Sequence, residues 1–309
     1  MPKPFRFSAQ VQAPMSGREW AELARKVEDL GYSALTMSDH FGDQLAPVAG
    51  MTAAAAATTM LRIGTLVFDN DYRHPLVLAK EAATIDLLSD GRLELGLGAG
   101  WMISDYEAAG MPYDPAGVRI DRFEEGIAVI KGLMADGPFS FTGKHYTISE
   151  HDGLPKPKQR PHPPIIIGGG GRRVLGIAGR EADIVSINAN LKDGKGGPET
   201  APNLAPAVTT QKVQWARDGA GDRWGEIELH ALVGFCVFTE HPMQMAEAMA
   251  PSFGITPEDA LHVPVGLIGT VDSMAEELQW RRETWGISYI TVEGPWEEFA
   301  PVVSRLAGT

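Results

Sequence analysis

Two glycine-rich turns contain the residues of this sequence best suited to bind an anionic group. The first, Gly98, Ala99 and Gly100, follows a stretch in which leucine alternates with other residues, as in a strand. The second, residues 168–171, follows three isoleucines. Because glycine lacks Cβ, the backbone N–H groups of such turns approach a phosphate closely. One turn alone is adequately explained as a tight bend, but two of the same kind favour a phosphate site.

Arginine and aromatic side chains stand beside these turns. Arg172 and Arg173 follow the second turn at the start of a predicted helix, where guanidinium and backbone N–H groups together bind anions. We expect Arg172 to face the ligand and Arg173 to be solvated. Trp101 and Phe68 are candidates for the walls around a planar ring, although core filling explains Phe68 equally well.

The spacing of these residues argues against common nucleotide and metal motifs. The third glycine of a dinucleotide fingerprint is replaced by Trp101 after the first turn and by Arg173 after the second, and no P-loop triplet occurs. Asp39 and His40 are adjacent at the end of a predicted strand, so their side chains point to opposite faces. They are therefore poorly placed to share one ion, and we predict no metal site.

The composition limits the class of partner. The 309 residues carry a net charge of −13, which argues against a nucleic-acid partner, since such proteins present a basic surface. The one cysteine, Cys236, lies in an apolar run and predicts a reducing compartment and a buried, inert thiol. Residues 1–6 show no leader pattern, and no window has the roughly 18 apolar residues of a membrane span. We expect a cytoplasmic protein with a small-molecule substrate and no membrane partner.

Predicted strands alternate with predicted helices along the chain, which indicates βαβ units and a parallel sheet. The strands are predicted at residues 5–11, 32–37, 62–68, 91–98, 165–167, 183–187, 226–238 and 288–292. Polar or glycine-rich residues follow four of them. A doubly wound open sheet binds ligands near one switch point, whereas a barrel site draws on many strand ends. We therefore predict an α/β fold, a (β/α)8 TIM barrel with insertions at its C-terminal face, as a single domain over residues 1–309.

Several shorter features complete this interpretation. Ser16 is a predicted N-cap with Glu19 as its capping-box partner, and Asp272 is predicted to cap the helix over residues 272–285. Residues 103–114 are expected to form an inserted loop and residues 190–205 a mobile loop of the kind that covers a site. A hairpin is predicted over residues 139–148.

A combination of motifs resembles the bacterial luciferase-like superfamily over nearly the whole chain. The motifs are residues 89–101, the Asp39-His40 pair, residues 72–75, residues 160–169 and the Gly269-Thr270 pair. The resemblance implies a TIM barrel that binds either FMN or the deazaflavin coenzyme F420 at its C-terminal face. Homodimers are frequent in that superfamily, so we expect a homodimer as one open possibility.

Residues 68–72 resemble the F420-dependent oxidoreductase branch, because the FMN monooxygenases more often have apolar and proline residues there. The resemblance implies that Asp39, His40 and Asn70 lie near the deazaflavin ring. It also implies a non-prolyl cis peptide bond between residues 65 and 70. It places the phosphate side of the cofactor at Gly98, Ala99, Gly100, Tyr106, Gly169, Gly170, Gly171 and Arg172.

The resulting hypothesis is an oxidoreductase that transfers a hydride between F420 and an unidentified small organic substrate. His40 is the predicted proton-handling residue, and Asp39 is predicted to orient it, to bind the cofactor, or to cap the following helix. The resemblance implies that the sugar-phosphate dehydrogenases of this family have a glutamate as general acid at the position of Trp101. A tryptophan has no titrating proton to donate, which argues against glucose-6-phosphate as substrate. An FMNH2-dependent monooxygenase with a separate reductase is the first alternative, and a non-catalytic flavin-binding protein is the second.

Overall fold

The computed structural model describes residues 3–309. Met1 and Pro2 lie outside the described residues. The predictions for residues 1–6 and for the domain over residues 1–309 therefore begin outside them. The strands within the described residues are β1 (Arg6–Gln10), β2 (Ala34–Met37), β3 (Arg62–Thr65), β4 (Phe68–Asp69), β5 (Leu93–Gly98), β6 (Phe139–Thr142), β7 (Thr147–His151), β8 (Ile165–Gly169), β9 (Ile184–Ile187), β10 (Glu228–Val233), β11 (Phe235–Phe238), β12 (Gly266–Gly269) and β13 (Ile287–Val292).

Parallel strands close into a barrel with eight positions. The order around it is β1, β2, the β3–β4 pair, β5, β8, β9, β10 and β13, and β13 pairs with β1 to close the ring. The helices are α1 (Gly17–Asp29), α2 (Pro47–Ala57), α3 (Pro75–Leu88), α4 (Ile103–Ala109), α5 (Ala116–Met134), α6 (Arg172–Glu181), α7 (Pro206–Ala220), α8 (Pro242–Phe253), α9 (Pro257–His262), α10 (Val271–Trp285) and α11 (Trp296–Leu306). The predicted (β/α)8 barrel is confirmed.

Local sequence signals explain where individual helices begin and how they pack. Ser16 and Glu19 form the predicted capping box at the start of α1, with the Ser16 N–H donating to the Glu19 carboxylate at 2.8 Å. Trp20 is buried on the inner face of α1, and its indole N–H donates to the Gly50 carbonyl at 2.7 Å. Pro75 occupies the first turn of α3, where its missing N–H is no loss.

The third barrel position is built from two short strands. The peptide bond between Leu66 and Val67 is cis, and it separates β3 from β4. This bond lies within the interval where the family resemblance implies a non-prolyl cis peptide, so that prediction is confirmed. The predicted continuous strand over residues 62–68 is thereby corrected to two segments, both of which pair with β5.

The predicted strand over residues 226–238 is also two strands. β10 belongs to the barrel, whereas β11 pairs with β12 in a separate two-stranded sheet. The chain changes partner at Gly234, whose N–H donates to the Val265 carbonyl at 2.8 Å. An unbroken apolar run does not show this change of sheet, because both halves are strands.

Two predicted loops contain helical structure, and one predicted cap is wrong. Residues 103–114 include α4, and residues 190–205 include a 3₁₀ helix, Pro198–Leu204. Thr270, not Asp272, is the N-cap of α10, with Ser273 completing a capping box. The predicted hairpin is confirmed as the antiparallel pair β6–β7.

The N-terminal ends of the barrel strands enclose a network of charges. Arg6 pairs with Glu94 at 2.5 Å and with Glu228 at 2.6 Å, while Arg62 pairs with Glu94 at 2.7 Å. The Tyr289 hydroxyl donates to the second Glu94 oxygen at 2.9 Å. Burial alone would raise the pKa of Glu94, but the two arginines and this hydroxyl outweigh it and lower the pKa.

None of the described helices has the length and apolar character needed to cross a membrane.

Candidate active site

A cavity of about 560 Å³ lies at the C-terminal ends of the barrel strands, a size typical of small-molecule sites. Both glycine turns line it, together with Asp39, His40 and Trp101. The turns are brought together because β5 and β8 are neighbours in the barrel. The C-terminal face is where barrel enzymes place their sites, so this cavity is the candidate active site.

The first glycine turn is shaped by the close approach of its neighbours. A Cβ on Gly98 would lie 2.5 Å from the Val67 side chain, next to the cis peptide bond. Gly100 has a φ of +75°, and a Cβ there would overlap the Tyr106 hydroxyl and approach the Asp69 carboxylate. Both glycines are therefore required by packing within the protein, whatever ligand they face.

The second turn differs at one position. A Cβ on Gly169 would lie 2.5 Å from the Val174 side chain, and one on Gly170 would overlap the Ala189 backbone. Gly171 has an ordinary φ of −102°, and a Cβ there would meet only the Asn190 side chain, at 3.9 Å. Neither packing nor backbone conformation requires glycine at 171, which faces the cavity.

The helix that follows this turn presents an open N-terminus. Gly171 is the N-cap of α6, no side chain caps it, and its first turn has no acidic residue. The free N–H groups and the helix dipole favour an anion at this point. Arg173 lines the cavity while pairing with Asp121 at 2.6 Å and Glu124 at 2.7 Å.

The structure agrees with one half of the prediction for the two adjacent arginines. Arg173 is exposed, as predicted, and it lines both the cavity and a depression on the outer surface, whereas Arg172 lines only that depression and does not face the cavity. The physical reason is the helix itself, because successive residues are rotated by roughly 100° around its axis. Sequence adjacency to the glycine turn does not reveal which of the two faces inward.

His40 is held by a carboxylate at the cavity wall. Its Nδ1 lies 2.7 Å from Asp105 Oδ2, and the Tyr72 hydroxyl donates to the same oxygen at 3.1 Å. The edge of Trp101 contacts the imidazole, with ring centroids 5.6 Å apart. In the tautomer that carries its hydrogen on Nδ1, the imidazole donates to the Asp105 carboxylate and leaves Nε2 as the acceptor nitrogen.

Asp39 lines the cavity but does not contact His40. Its carboxylate accepts two bonds from Arg73, at 2.6 and 3.0 Å, and one from the Asp69 N–H at 3.1 Å. The residue in the orienting position is Asp105, which sequence reasoning missed because residues 103–114 were expected to form a loop. The Asp39 carboxylate instead fixes the segment that follows β4.

Asp69 is a carboxyl group that forms no ion pair within the described part of the chain. Its neighbours Asp39 and Asp71 are each paired with an arginine, the latter with Arg122 at 2.7 Å. Asp69 itself accepts from the Asp71 N–H at 2.8 Å and from the Tyr106 hydroxyl at 3.2 Å. Burial, reinforced by the neighbouring carboxylates, raises the pKa of Asp69 to about 7.

Three predicted binding residues lie behind the cavity wall. Phe68 is fully buried, and the Arg73 Cζ lies 4.8 Å from the centre of its ring. Asn70 donates to the Tyr146 hydroxyl of the hairpin at 3.2 Å, and Tyr106 is buried among the aspartates. Tyr106 donates to Asp69, which lines the cavity, but none of the three predicted residues lines it.

The cavity also contains residues that sequence reasoning missed. Gln10 is buried at the end of β1, and its Oε1 has no hydrogen-bond partner among residues 3–309. Glu293 follows β13 and accepts from Gln12 at 3.0 Å, and burial raises its pKa. Arg119 is a third. Their positions at strand ends or in the first turn of a helix were visible in the sequence, but their orientation was not.

Within residues 3–309, no cluster of three His, Cys, Asp or Glu side chains is arranged to hold a metal ion.

Comparison with known proteins places the whole arrangement in a family. The profile of the luciferase-like monooxygenases matches residues 3–211, about two thirds of the chain. The chain belongs to the luciferase-like monooxygenase family. The resemblance drawn from the sequence motifs is thereby confirmed.

Relatives of this luciferase-like protein carry two kinds of cofactor in their names. An FMNH(2)-dependent dimethylsulfone monooxygenase of Pseudomonas putida is 34% identical over 46% of the chain, which spans 39% of that relative. An F420-dependent glucose-6-phosphate dehydrogenase of Kineococcus radiotolerans is 28% identical over 92% of the chain and 82% of the relative.

Solved structures share the fold of the luciferase-like chain. The coenzyme F420 dependent tetrahydromethanopterin reductase of Methanopyrus kandleri superposes with a TM-score of 0.77, at 19% identity and 98% coverage of both chains. The monooxygenase RslO1 of Streptomyces bottropensis superposes with a TM-score of 0.73, at 23% identity and 97% coverage of both. At these identities the likeness concerns the fold alone.

Proposed function

We propose that this protein is an oxidoreductase that transfers a hydride between coenzyme F420 and a small organic substrate. The observation that carries the proposal is the His40–Asp105 pair, with its 2.7 Å contact, on the wall of the cavity that both glycine turns line. A hydride transfer beside a hydroxyl or amine group leaves one proton to be moved, and an oriented imidazole is suited to move it.

The residues of the cavity fit a phosphorylated ring cofactor. Gly171 and the uncapped N-terminus of α6 leave room and N–H donors for a phosphoryl group, and Arg173 lies beside them. The buried Gln10 side chain offers an unpartnered acceptor on the cavity floor for a donor group. When bound, the deazaflavin supplies the ring carbon that gives or accepts the hydride.

The chain's own residues then have separate tasks. Asp105 fixes the imidazole and keeps Nε2 of His40 available for the substrate proton. Asp39 and Arg73 hold the segment after β4 against the cavity. The Trp101 ring, packed against His40, excludes water and borders the substrate. It has no titrating proton, so the proton is handled by His40.

F420 is preferred to FMN for two reasons. The relative named as F420-dependent aligns over 92% of the chain, against 46% for the relative named as FMNH(2)-dependent. Residues 68–72 also resemble the F420-dependent branch. The 34% identity of the FMNH(2)-dependent relative supports a second candidate, a two-component flavin monooxygenase.

A cofactor titration distinguishes the two candidates. We expect the purified protein to bind F420 more tightly than FMN, as measured by fluorescence quenching of each cofactor. Reduced F420 bound to the protein should persist in air until an organic acceptor is added. Preferential binding of FMN, with oxygen consumption by the FMNH2-loaded protein, would overturn the F420 assignment and establish the monooxygenase. Tight F420 binding with no turnover across a panel of acceptors would support a binding protein instead.

A further inference from the structure

Arg119, in the first turn of α5, is buried and forms no ion pair with any of residues 3–309. Its side chain is 4% exposed and lines the cavity. Arg281 provides the comparison, because it is 0% exposed and pairs with Glu277 at 2.7 Å. Burying a guanidinium without an anion is costly, so the different pairing of two equally buried arginines requires an explanation.

The groups around Arg119 are neutral. It donates to the Asp114 carbonyl and, at 3.2 Å, to the Tyr113 hydroxyl, and its Cζ lies 4.0 Å from the centre of the Tyr113 ring. Its Nε has no hydrogen-bond partner in the described part of the chain. The nearby Asp114 carboxylate pairs with Arg122 at 2.9 Å, so it is already engaged. The guanidinium is fixed in place, and its charge is not neutralised.

The surroundings of Arg119 also favour an anion. Arg173 donates to the Gly117 carbonyl at 3.3 Å, which ties the start of α6 to the first turn of α5. The uncapped N-terminus of α6, Arg173 and Arg119 all border the same cavity. Gly171 leaves space at this point that no protein atom requires. Arg173 is already paired with Asp121 and Glu124, so the uncompensated charge of Arg119 and the uncapped helix N-terminus beside Gly171 are the features that favour a negatively charged group here.

We propose that Arg119 is the buried charge partner of a phosphoryl group on the ligand that occupies this cavity. The inference rests on the proposed function only in taking the ligand to be a phosphorylated ring cofactor, and it applies equally to F420 and FMN. It assigns anion binding to Arg119 and not to Arg172, which the sequence favours but which lies on the outer surface.

Paired ligands with and without the phosphoryl group test this assignment. FMN is compared with riboflavin, and F420 with its phosphate-free ring and ribityl fragment, by fluorescence titration of the wild type, Arg119→Met, Arg119→Lys and Arg172→Met. For the phosphorylated cofactor that the wild type binds, Arg119→Met should weaken affinity about tenfold or more. Its effect on the phosphate-free partner should stay within about twofold. Arg119→Lys should lie between, and Arg172→Met should match the wild type.

The outcomes separate this inference from the proposed function. Phosphate-dependent loss with FMN instead of F420 supports Arg119 while overturning the F420 assignment. Equal loss for both members of a pair, no loss for either, or an equal loss in Arg172→Met overturns the role of Arg119. If the wild type binds none of the four compounds, inorganic pyrophosphate is the probe. A rise in Tm with pyrophosphate that disappears in Arg119→Met supports the role, and an identical rise in both proteins overturns it.

Circular dichroism and Tm without ligand show whether each variant folds. Arg119→Lys keeps the charge and serves where Arg119→Met does not fold, since a lysine places a single charge without the guanidinium fork. In that case the test is the ratio of affinities for the phosphorylated and phosphate-free ligands. A smaller ratio than in the wild type supports the assignment, and an unchanged ratio overturns it.

Discussion

The two ends of the barrel treat buried charge differently. At the N-terminal end, Arg6, Arg62, Glu94 and Glu228 are all paired within one network, and the Tyr289 hydroxyl completes it. At the C-terminal end, pairing is incomplete. The Asp69 carboxyl and the Arg119 guanidinium have no oppositely charged partner among the described residues, and the Gln10 amide oxygen has no hydrogen-bond donor among them.

The difference teaches which end is built for stability and which for binding. Both ends hold arginines and carboxylates that are buried or half-buried, so burial by itself does not separate them. A group that is satisfied inside the protein has nothing to offer a ligand, whereas an unsatisfied group costs stability until a ligand pairs with it. This agrees with the general division of labour in such barrels, where function lies at the C-terminal ends of the strands.

The largest expected effect breaks the satisfied end. Glu94→Gln leaves Arg62 without its carboxylate partner and removes one from Arg6, so we expect the free energy of unfolding to fall by about 3–5 kcal/mol. Urea denaturation measures it. The matched control is Asp90→Asn, in an exposed pair with Lys158, which should leave the urea midpoint close to that of the wild type because solvent screens exposed ion pairs. Similar losses in the two variants would contradict the comparison.

The next effect concerns the unsatisfied Asp69. Its pKa rises from 3.8 in the unfolded chain to about 7 in the fold, so the folded state holds the proton more tightly. Stability should therefore be unaffected by this group below pH 4, fall as the pH rises towards 7, and stay level above it. Asp69→Asn removes the cost of ionising a buried carboxyl group. At pH 8 its free energy of unfolding should therefore exceed that of the wild type by about 2–4 kcal/mol.

Denaturation of both proteins at pH 4.5 and pH 8 measures this dependence. Asp43→Asn, at an exposed position in the loop after β2, is the control and should show no such gain. A difference between Asp69→Asn and wild type that is the same at both pH values would show that Asp69 is ionised in the fold.

A third effect tests the chemistry at the cavity. His40→Ala should keep the affinity for the cofactor and lower kcat by about a hundredfold or more, because it removes the proton-handling group. The measurement is kcat with the acceptor that the wild type reduces fastest, alongside a fluorescence titration. His151→Ala, in the exposed hairpin strand, is the control. Unchanged turnover in His40→Ala would remove His40 from the mechanism.

The smallest effects distinguish two adjacent glycines of one turn. Gly170→Ala should destabilise the fold by about 1–3 kcal/mol, because the added methyl group overlaps the Ala189 backbone. Gly171→Ala should change stability by less than about 1 kcal/mol, since its methyl group meets only the Asn190 side chain, at 3.9 Å, but it should weaken binding of the phosphorylated cofactor. Thermal unfolding and cofactor titration of both variants check this. Equal destabilisation would mean that both glycines serve packing.

Much of the fold is predictable from local sequence patterns. Alternating and isoleucine-rich segments predict all eight barrel positions, and the capping box at Ser16 and the hairpin are predicted at their observed places. The partner change at Gly234 is not predictable, because both halves of the run have strand character. The cap at Thr270 is missed because Asp272 and Thr270 are both suitable cap residues, and only the backbone shows which one precedes the helix.

The candidate site is predictable in its backbone and less so in its side chains. The glycine turns, Asp39, His40 and Trp101 all line the cavity as the sequence suggests. Asp105 and Arg119 are missed, since nothing local to either residue indicates a long-range partner or the absence of one. Phe68, Asn70 and Tyr106 are buried and do not line the cavity, a placement that motif spacing does not convey.

The sequence by itself determined the order of strands and helices, the barrel and the two turns free of side chains, because periodicity and backbone preference are local properties. Only the tertiary structure decided which charges are paired. Pairing joins residues as distant in sequence as Arg6 and Glu228, and leaves Arg119 without an acid although Asp114 stands five residues away. That outcome depends on three-dimensional distance and on competition among partners, neither of which is written in any one stretch of the chain.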